Sequence, residues 1–312
     1  MSPADGAVRA AWRAVRRAKR LVWLVALTDA LVFLPAALYV GVTVHRAAGH
    51  RVDATSLARV LDPDLLADMD SGSGDFRIHQ TVLAAACLVL FFALRPLVMG
   101  GYVAIAARGD RIRFDEFVRV GGAVYWKFLR IALVGVVTCY LLSLAAKPLL
   151  AYIDEQASSY VTEGPAITYR RATEVFVFTA YWVLGTILDY TRVGVRMYRR
   201  PGVFVELGRS ALFVLQHPVE TLGFSAFAFA IELAAIWGFS ELLQRADGAY
   251  VLTSLSVLLL AQVLVALREA TRLFHHAGAW RIRRRAEGGA HDDPARRRPS
   301  GDDLLENLPW NQ

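Results

Sequence analysis

Residues Thr81–Ile105 read TVLAAACLVLFFALRPLVMGGYVAI, an apolar run whose single charge is Arg95. At about 1.5 Å of rise per helical residue, this run is longer than the ~30 Å of hydrocarbon in a bilayer. It reads as a membrane helix. Working outward, five further runs have the same character: Leu21–Val44, Ile131–Leu150, Val175–Tyr190, Val219–Phe239 and Ala249–Leu267. The fourth in chain order, Val175–Tyr190, is the shortest and continues past Arg192 if that side chain snorkels. The fold expected is all-α: a polytopic transmembrane helix bundle of six membrane helices, with cytoplasmic interfacial amphipathic helices and both termini inside.

Composition agrees. Of the 312 residues, 55% are hydrophobic and 20% charged, against the ~25% charge usual in soluble domains. Mean hydropathy is +0.38. The net charge of +7 would suit a nucleic-acid binder, but the basic residues flank apolar runs and do not line one surface. Their placement sets the orientation instead. The N-terminus, 106–130, 191–217 and the chain after Leu267 together hold 26 Lys and Arg, whereas 45–80, 151–173 and 240–248 hold 7. An excess of Lys and Arg marks the cytoplasmic side. The basic N-terminus before Leu21 resembles a signal peptide, but the Leu21–Val44 run exceeds a signal h-region of ~7–15 residues. It reads as an uncleaved first span. Cys87 and Cys139 both lie in apolar runs, which rules out a disulfide framework.

The chain divides into a basic amphipathic segment (1–20), a membrane domain (21–285) and a disordered cytoplasmic tail (286–312), the last rich in Arg, Gly, Asp and Pro. An internal repeat runs through it. Phe114, Glu116, Phe117 and Arg119 recur 90 residues later as Phe204, Glu206, Leu207 and Arg209. The apolar positions of each copy follow helical spacing. Glu116 with Arg119, and Glu206 with Arg209, form i,i+3 pairs expected on the opposite, wet face. Val8, Ala11, Trp12 and Val15 give a weaker third copy. Each copy precedes an outward-going span, as an interfacial helix would. Arg119 and Arg209 are then candidate contacts for anionic headgroups. In the first outer loop, Asp62-Pro63-Asp64 reads as the start of a short helix.

Charges at bilayer depth are the functional leads, because placing them there is costly. They are Asp29, Arg95, Asp189 and Glu232. Asp29 and Arg95 fall at overlapping depths on helices joined by one loop, so they are expected to pair. Asp189 has Arg192 three residues on, whereas Glu232 has no partner legible in the sequence. Arg95-Pro96 and Gly100-Gly101 interrupt the second span, as in the broken helices that line transporter sites and also in packing kinks. Other signals fail. Asp68-Met69-Asp70 starts a calcium-like loop whose twelfth position is His79 and not Glu. His45 with His50, and His275 with His276, lack a third ligand. No nucleophile elbow or phosphate loop is present. No cofactor, metal site or catalytic residue is expected.

Gly100-Gly101-Tyr102, Phe114–Arg130, Asp189-Tyr190-Thr191-Arg192 and Ser210–Pro218 carry a resemblance to uncharacterised families of bacterial polytopic inner-membrane proteins of about six helices. Over about two thirds of the chain, the layout is similar to the membrane domain attached to some glycerophosphodiester phosphodiesterases. Their soluble barrel is missing from this sequence, so neither that activity nor its residues carry over. The resemblance implies a protein of the bacterial inner membrane in contact with lipid. The function expected is a non-enzymatic scaffold or regulatory membrane subunit with a membrane-protein partner. A transporter or permease component using Asp29, Arg95 and a kinked second helix is the alternative, and a lipid-modifying enzyme the third reading. A cavity reaching Arg95 would favour transport, and a filled core would favour a partner.

Overall fold

The computed structural model describes residues 3–48, 76–108, 112–158, 163–198, 202–245 and 251–288, and every element among them is a helix. They are α1 (Pro3–Ala48), α2 (Phe76–Arg108), α3 (Phe114–Ser158), α4 (Glu163–Met197), α5 (Val203–Gln216), α6 (Pro218–Arg245) and α7 (Val251–Gly288). Five of them, α1 to α4 and α6, are long and apolar enough to cross a membrane. The sixth expected span falls on α7, which begins at Val251 and runs on through the charged stretch after Leu267 to Gly288, three residues into the segment expected to be disordered. The helix start at Asp62-Pro63-Asp64 and the chain after Gly288 lie outside the described residues.

Two of the three segments expected to be interfacial are continuous with the helices that follow them. Residues 3–20 open α1, and 114–130 open α3. Leucine, alanine and arginine keep helical propensity high across these junctions, and no Gly-Pro or Asn-Gly pair interrupts them. Only α5 stands alone. It ends at His217, whose N–H bonds the Phe213 carbonyl at 3.0 Å, and Pro218 starts α6 where a missing N–H costs nothing.

Contacts between helices fix their directions. Asp29, Phe33 and Tyr39 of α1 meet Arg95, Phe91 and His79 of α2 in reverse order. Tyr102 and Arg108 of α2 meet Phe117 and Glu116 of α3. Gly135 and Ser143 of α3 meet Leu188 and Tyr181 of α4. Thr186 and Phe178 of α4 meet Ser225 and Phe229 of α6, while Phe224 and Glu232 of α6 meet Phe274 and Arg268 of α7. The long helices therefore alternate, and α1 packs most extensively on α7, joining the first and last described helices.

Helix α2 runs through Pro96 and Gly100-Gly101 without interruption. The glycines serve a close approach to α3. A Cβ on Gly100 would lie 2.6 Å from the Val124 side chain, and one on Gly121 would strike the Leu97 carbonyl. Small residues at such a crossing let helices pack where lipid supplies no hydrophobic drive between them.

Burial is uneven along the bundle. Buried side chains gather at the start of α1 (Ala7, Ala11, Ala14, Ala18), the end of α2 (Tyr102–Ile105), the start of α3 and the end of α4. The second half of α7 completes this packed end with Leu273, Phe274, Ala277 and Ala279. Elsewhere the spans show apolar surface outward, with only 17–28% of each apolar window buried inside the protein. That is the pattern of helices solvated by lipid.

Candidate functional site

Ionic residues gather at the border between the packed end and the open half of the bundle. Arg95 is the hub. Its guanidinium donates to Asp29 Oδ2 at 2.7 Å and to both oxygens of Glu269, each at 2.9 Å. Glu269 is fully buried and also accepts from the Tyr102 hydroxyl at 3.0 Å and from Arg272 at 2.9 Å. The Phe91 ring lies 4.2 Å from the Arg95 guanidinium carbon. Three helices, α1, α2 and α7, are thus tied through one side chain. A fork of five donors suits this bidentate geometry, which a lysine could not reproduce.

The pairing of Asp29 with Arg95 follows the sequence reading, but Glu269 does not. Hydropathy ends the last span at Leu267 and leaves Glu269 in the charged stretch beyond it. The available signal was periodicity: Glu269, Arg272, His276 and Arg283 recur at three-, four- and seven-residue spacing among Leu273, Ala277 and Ile282. Glu232 pairs with Arg268 at 3.1 Å, a partner the same misplaced boundary hid. Asp189 binds Arg192 as its spacing implies, and its Oδ2 also faces His275 Nδ1 at 3.1 Å.

Beside this hub lies a cavity of about 430 Å³, within the range of small-molecule sites. Helices α2, α3, α4, α6 and α7 contribute to its wall. Arg95, Asp189 and Glu232 line it together, so three of the four intramembrane charges share one space, with Asp29 behind Arg95. Arg192, Arg272, His275 and His276 complete the ionisable lining. Phe91, Phe92, Met99, Leu188 and Phe229 supply apolar wall. Four buried atoms in lining residues have no hydrogen-bond partner: Arg95 Nε, Trp182 Nε1, His275 Nε2 and His276 Nδ1. His275 and His276, dismissed as a metal pair, are wall residues. No group of three or more His, Cys, Asp or Glu suited to a metal occurs among the described residues.

A second ionic centre locks α5 to the packed end. Arg283, only 1% exposed, donates to Glu206 at 2.5 Å, to Glu287 at 3.0 Å, to Ser210 at 3.1 Å and to the Tyr190 carbonyl at 2.8 Å. Burial pushes the Glu206 carboxyl up. The same penalty acts against Arg283, but Glu206 and Glu287 outweigh it and raise the guanidinium, which stays charged and holds the carboxylate. Gly194 makes the room, since a Cβ there would strike both the Glu206 carboxylate and the Arg283 guanidinium.

This arrangement corrects the wet-face reading of the repeat. Glu206 is 0% exposed and turned inward, while Phe204 (74%) and Leu215 (72%) face outward. Glu116 pairs with Arg108 across helices and not with Arg119. The two copies nevertheless share a register, with Phe114 and Phe204 exposed and Val120 and Ser210, Val124 and Val214 buried. Amphipathicity alone gives two faces but not which one meets protein, and in lipid the apolar face can be the outer one. Arg119 and Arg209 are both exposed, the latter 5.8 Å from the Tyr198 ring.

No family model, curated protein or solved structure matches this chain.

Proposed function

We propose that this chain is a six-span protein of the bacterial inner membrane, with both ends cytoplasmic, that binds a small polar solute in its central cavity as a transporter or permease component. The observation that carries this reading is the cavity itself, which reaches Arg95 and is walled by charged groups at membrane depth. Structural charges alone would be served better by a filled core, because each buried ion needs its partners packed around it. The packed end, closed by Tyr102, Phe128 and Tyr190, lies on the side with excess Lys and Arg, and a solute site above it is on this reading entered from the outer face. Arg119 and Arg209 then lie where they meet anionic headgroups.

Gly185 offers a clean test, because it lines the cavity and a Cβ there meets nothing within 4 Å. With Cys87 and Cys139 replaced, the Gly185→Cys thiol should react with a membrane-impermeant reagent in right-side-out vesicles and not in inverted ones. Reaction only in inverted vesicles would reverse the orientation, and no reaction in either would remove the water-filled cavity. A second reading, a scaffold or regulatory subunit, is favoured by the outward apolar face of α5, which a membrane partner could cover.

A further inference from the structure

Helix α1 is longer than a bilayer needs. Its 46 residues extend about 69 Å, more than twice the ~30 Å of hydrocarbon, and its apolar run starts only at Leu21. Residues 3–20 continue the same helix and are pinned to α7, with Ala7, Ala11, Ala14 and Ala18 buried in the core that includes Leu273, Ala277 and Ile282. This packing makes the segment project from the membrane instead of lying on it. The face opposite the alanines carries Arg9, Arg13, Arg16 and Arg20, all exposed, at i,i+4 and i,i+3 spacing. None of the four forms an ion pair among the described residues, and Arg13 donates to the Arg9 carbonyl at 3.3 Å. Like charges in such a row repel one another, and cations near a helix start oppose its dipole. An acidic partner would offset both costs.

A lipid surface does not fit the whole ridge. The headgroup layer is about 5–7 Å deep on each side of a bilayer. Arg20 falls within it. Arg13, Trp12 and Arg9 lie about 10, 12 and 16 Å farther along the helix, past the layer. Trp12 keeps 58% of its exposure there, so the ridge suits an acidic segment that also brings apolar side chains.

The chain itself supplies one. Asp29 and Glu269 meet at Arg95, so α1 and α7 are level at that point. From there α7 runs nineteen residues, about 28 Å, to Gly288, and Arg9 lies twenty residues, about 30 Å, the same way. The chain therefore leaves α7 beside the far end of the ridge. Its later sequence includes Asp302-Asp303-Leu304-Leu305-Glu306-Asn307-Leu308-Pro309-Trp310, three acids among apolar residues. Fourteen residues separate Gly288 from Asp302 and reach up to about 46 Å, against a ridge about 16 Å long. A tether of this length gives an effective concentration of about a millimolar, at which a weak contact suffices. We infer that residues 302–310 dock on α1, their acids on Arg9, Arg13 and Arg16 and their leucines beside Trp12.

The full-length chain, with Cys87 and Cys139 replaced and Ala10→Cys and Asn307→Cys introduced, is placed one copy per phosphatidylcholine nanodisc. Intramolecular disulfide formation is then timed. Arg9→Gln, Arg13→Gln and Arg16→Gln together should slow it about tenfold, the worth of three exposed ion pairs. Asp302→Asn, Asp303→Asn and Glu306→Gln should slow it as much without altering any helix of the bundle. Arg281→Gln, Arg284→Gln and Arg285→Gln, at exposed positions of α7, should leave the rate unchanged. Exchanging the charges, with Glu at 9, 13 and 16 and Arg at 302, 303 and 306, should restore it. No slowing by either triple, equal slowing by the α7 triple, or failure of the exchange overturns the inference. Adding phosphatidylglycerol should not change the rate, and a loss there would give the ridge to headgroups and overturn the inference too.

Discussion

Arg95 bridges two carboxylates unequally, and that inequality can be measured. Asp29 contributes one bond at 2.7 Å from a side chain that keeps 13% of its exposure, while Glu269 contributes two at 2.9 Å from a fully buried one. Removing one partner of a buried ion pair typically costs ~3–5 kcal/mol, because the other charge is left uncompensated. Arg95→Gln orphans Asp29 and strips Glu269 of two donors, leaving it Arg272 and Tyr102, so a loss of about 4 kcal/mol is expected. Glu269→Gln turns Arg95 and Arg272 into unbalanced neighbours and should cost about as much. Asp29→Asn leaves Arg95 held by the Glu269 fork and should cost only about 1–2 kcal/mol, near the worth of one charged hydrogen bond. Double-mutant cycles should therefore give a coupling of about 2 kcal/mol or more between residues 95 and 269, and about 1 kcal/mol between 29 and 95. Combining Asp29→Asn with Arg95→Gln restores little, because Glu269 still lacks its fork. The assay is reversible unfolding in mixed micelles, followed by circular dichroism. Additive losses at 95 and 269, or a cost for Asp29→Asn equal to that of Glu269→Gln, would refute the hub.

Gly194→Ala should destabilise by about 3 kcal/mol, through overpacking against the Glu206–Arg283 pair, in the same unfolding assay. Gly185→Ala, where a Cβ meets no atom within 4 Å, should be neutral or gain up to about 1 kcal/mol of helix propensity; equal losses at both glycines would show that Gly194 is not a packing site. Spin labels at Phe204 and Leu215 should favour collisions with lipid-soluble oxygen over a water-soluble nickel complex, with the opposite preference at Arg209. Labels at Phe204 and Leu215 as wet as the one at Arg209 would mean that α5 does not turn its apolar face to lipid.

Five of the six expected spans were legible in the sequence because hydropathy reports transfer out of water, and the bilayer imposes a minimum length. Asp29 and Arg95 were legible for the same reason, since a lone charge in an apolar run stands out. Glu269 and Arg283 were not. They lie in a stretch as charged as a solvated tail, where periodicity marks a helix but only the partners on α1, α2 and α5 show that its charged side is buried. The face of α5 was misread because periodicity carries no sign: Phe204 and Glu206 define opposite sides whichever one meets the protein. The cavity was also out of reach, since its wall draws on five helices whose relative rotation no local pattern sets.

Because Arg95 has carboxylates from both α1 and α7, its neutralisation has a chronology. A chain made from its N-terminus brings Asp29 to hand as soon as the first hairpin forms, some 170 residues before Glu269 emerges. Asp29 is then the escort that accompanies a lone arginine into the membrane, and Glu269 takes over the main share only once α7 has been made. The same late arrival supplies Arg283, so the polar flank of α5, with Glu206 and Ser210, waits for its seal until α7 closes on α1. A nascent or truncated chain that stops short of α7 exposes both unfinished sites, and membrane quality control that detects unmatched charge would single it out.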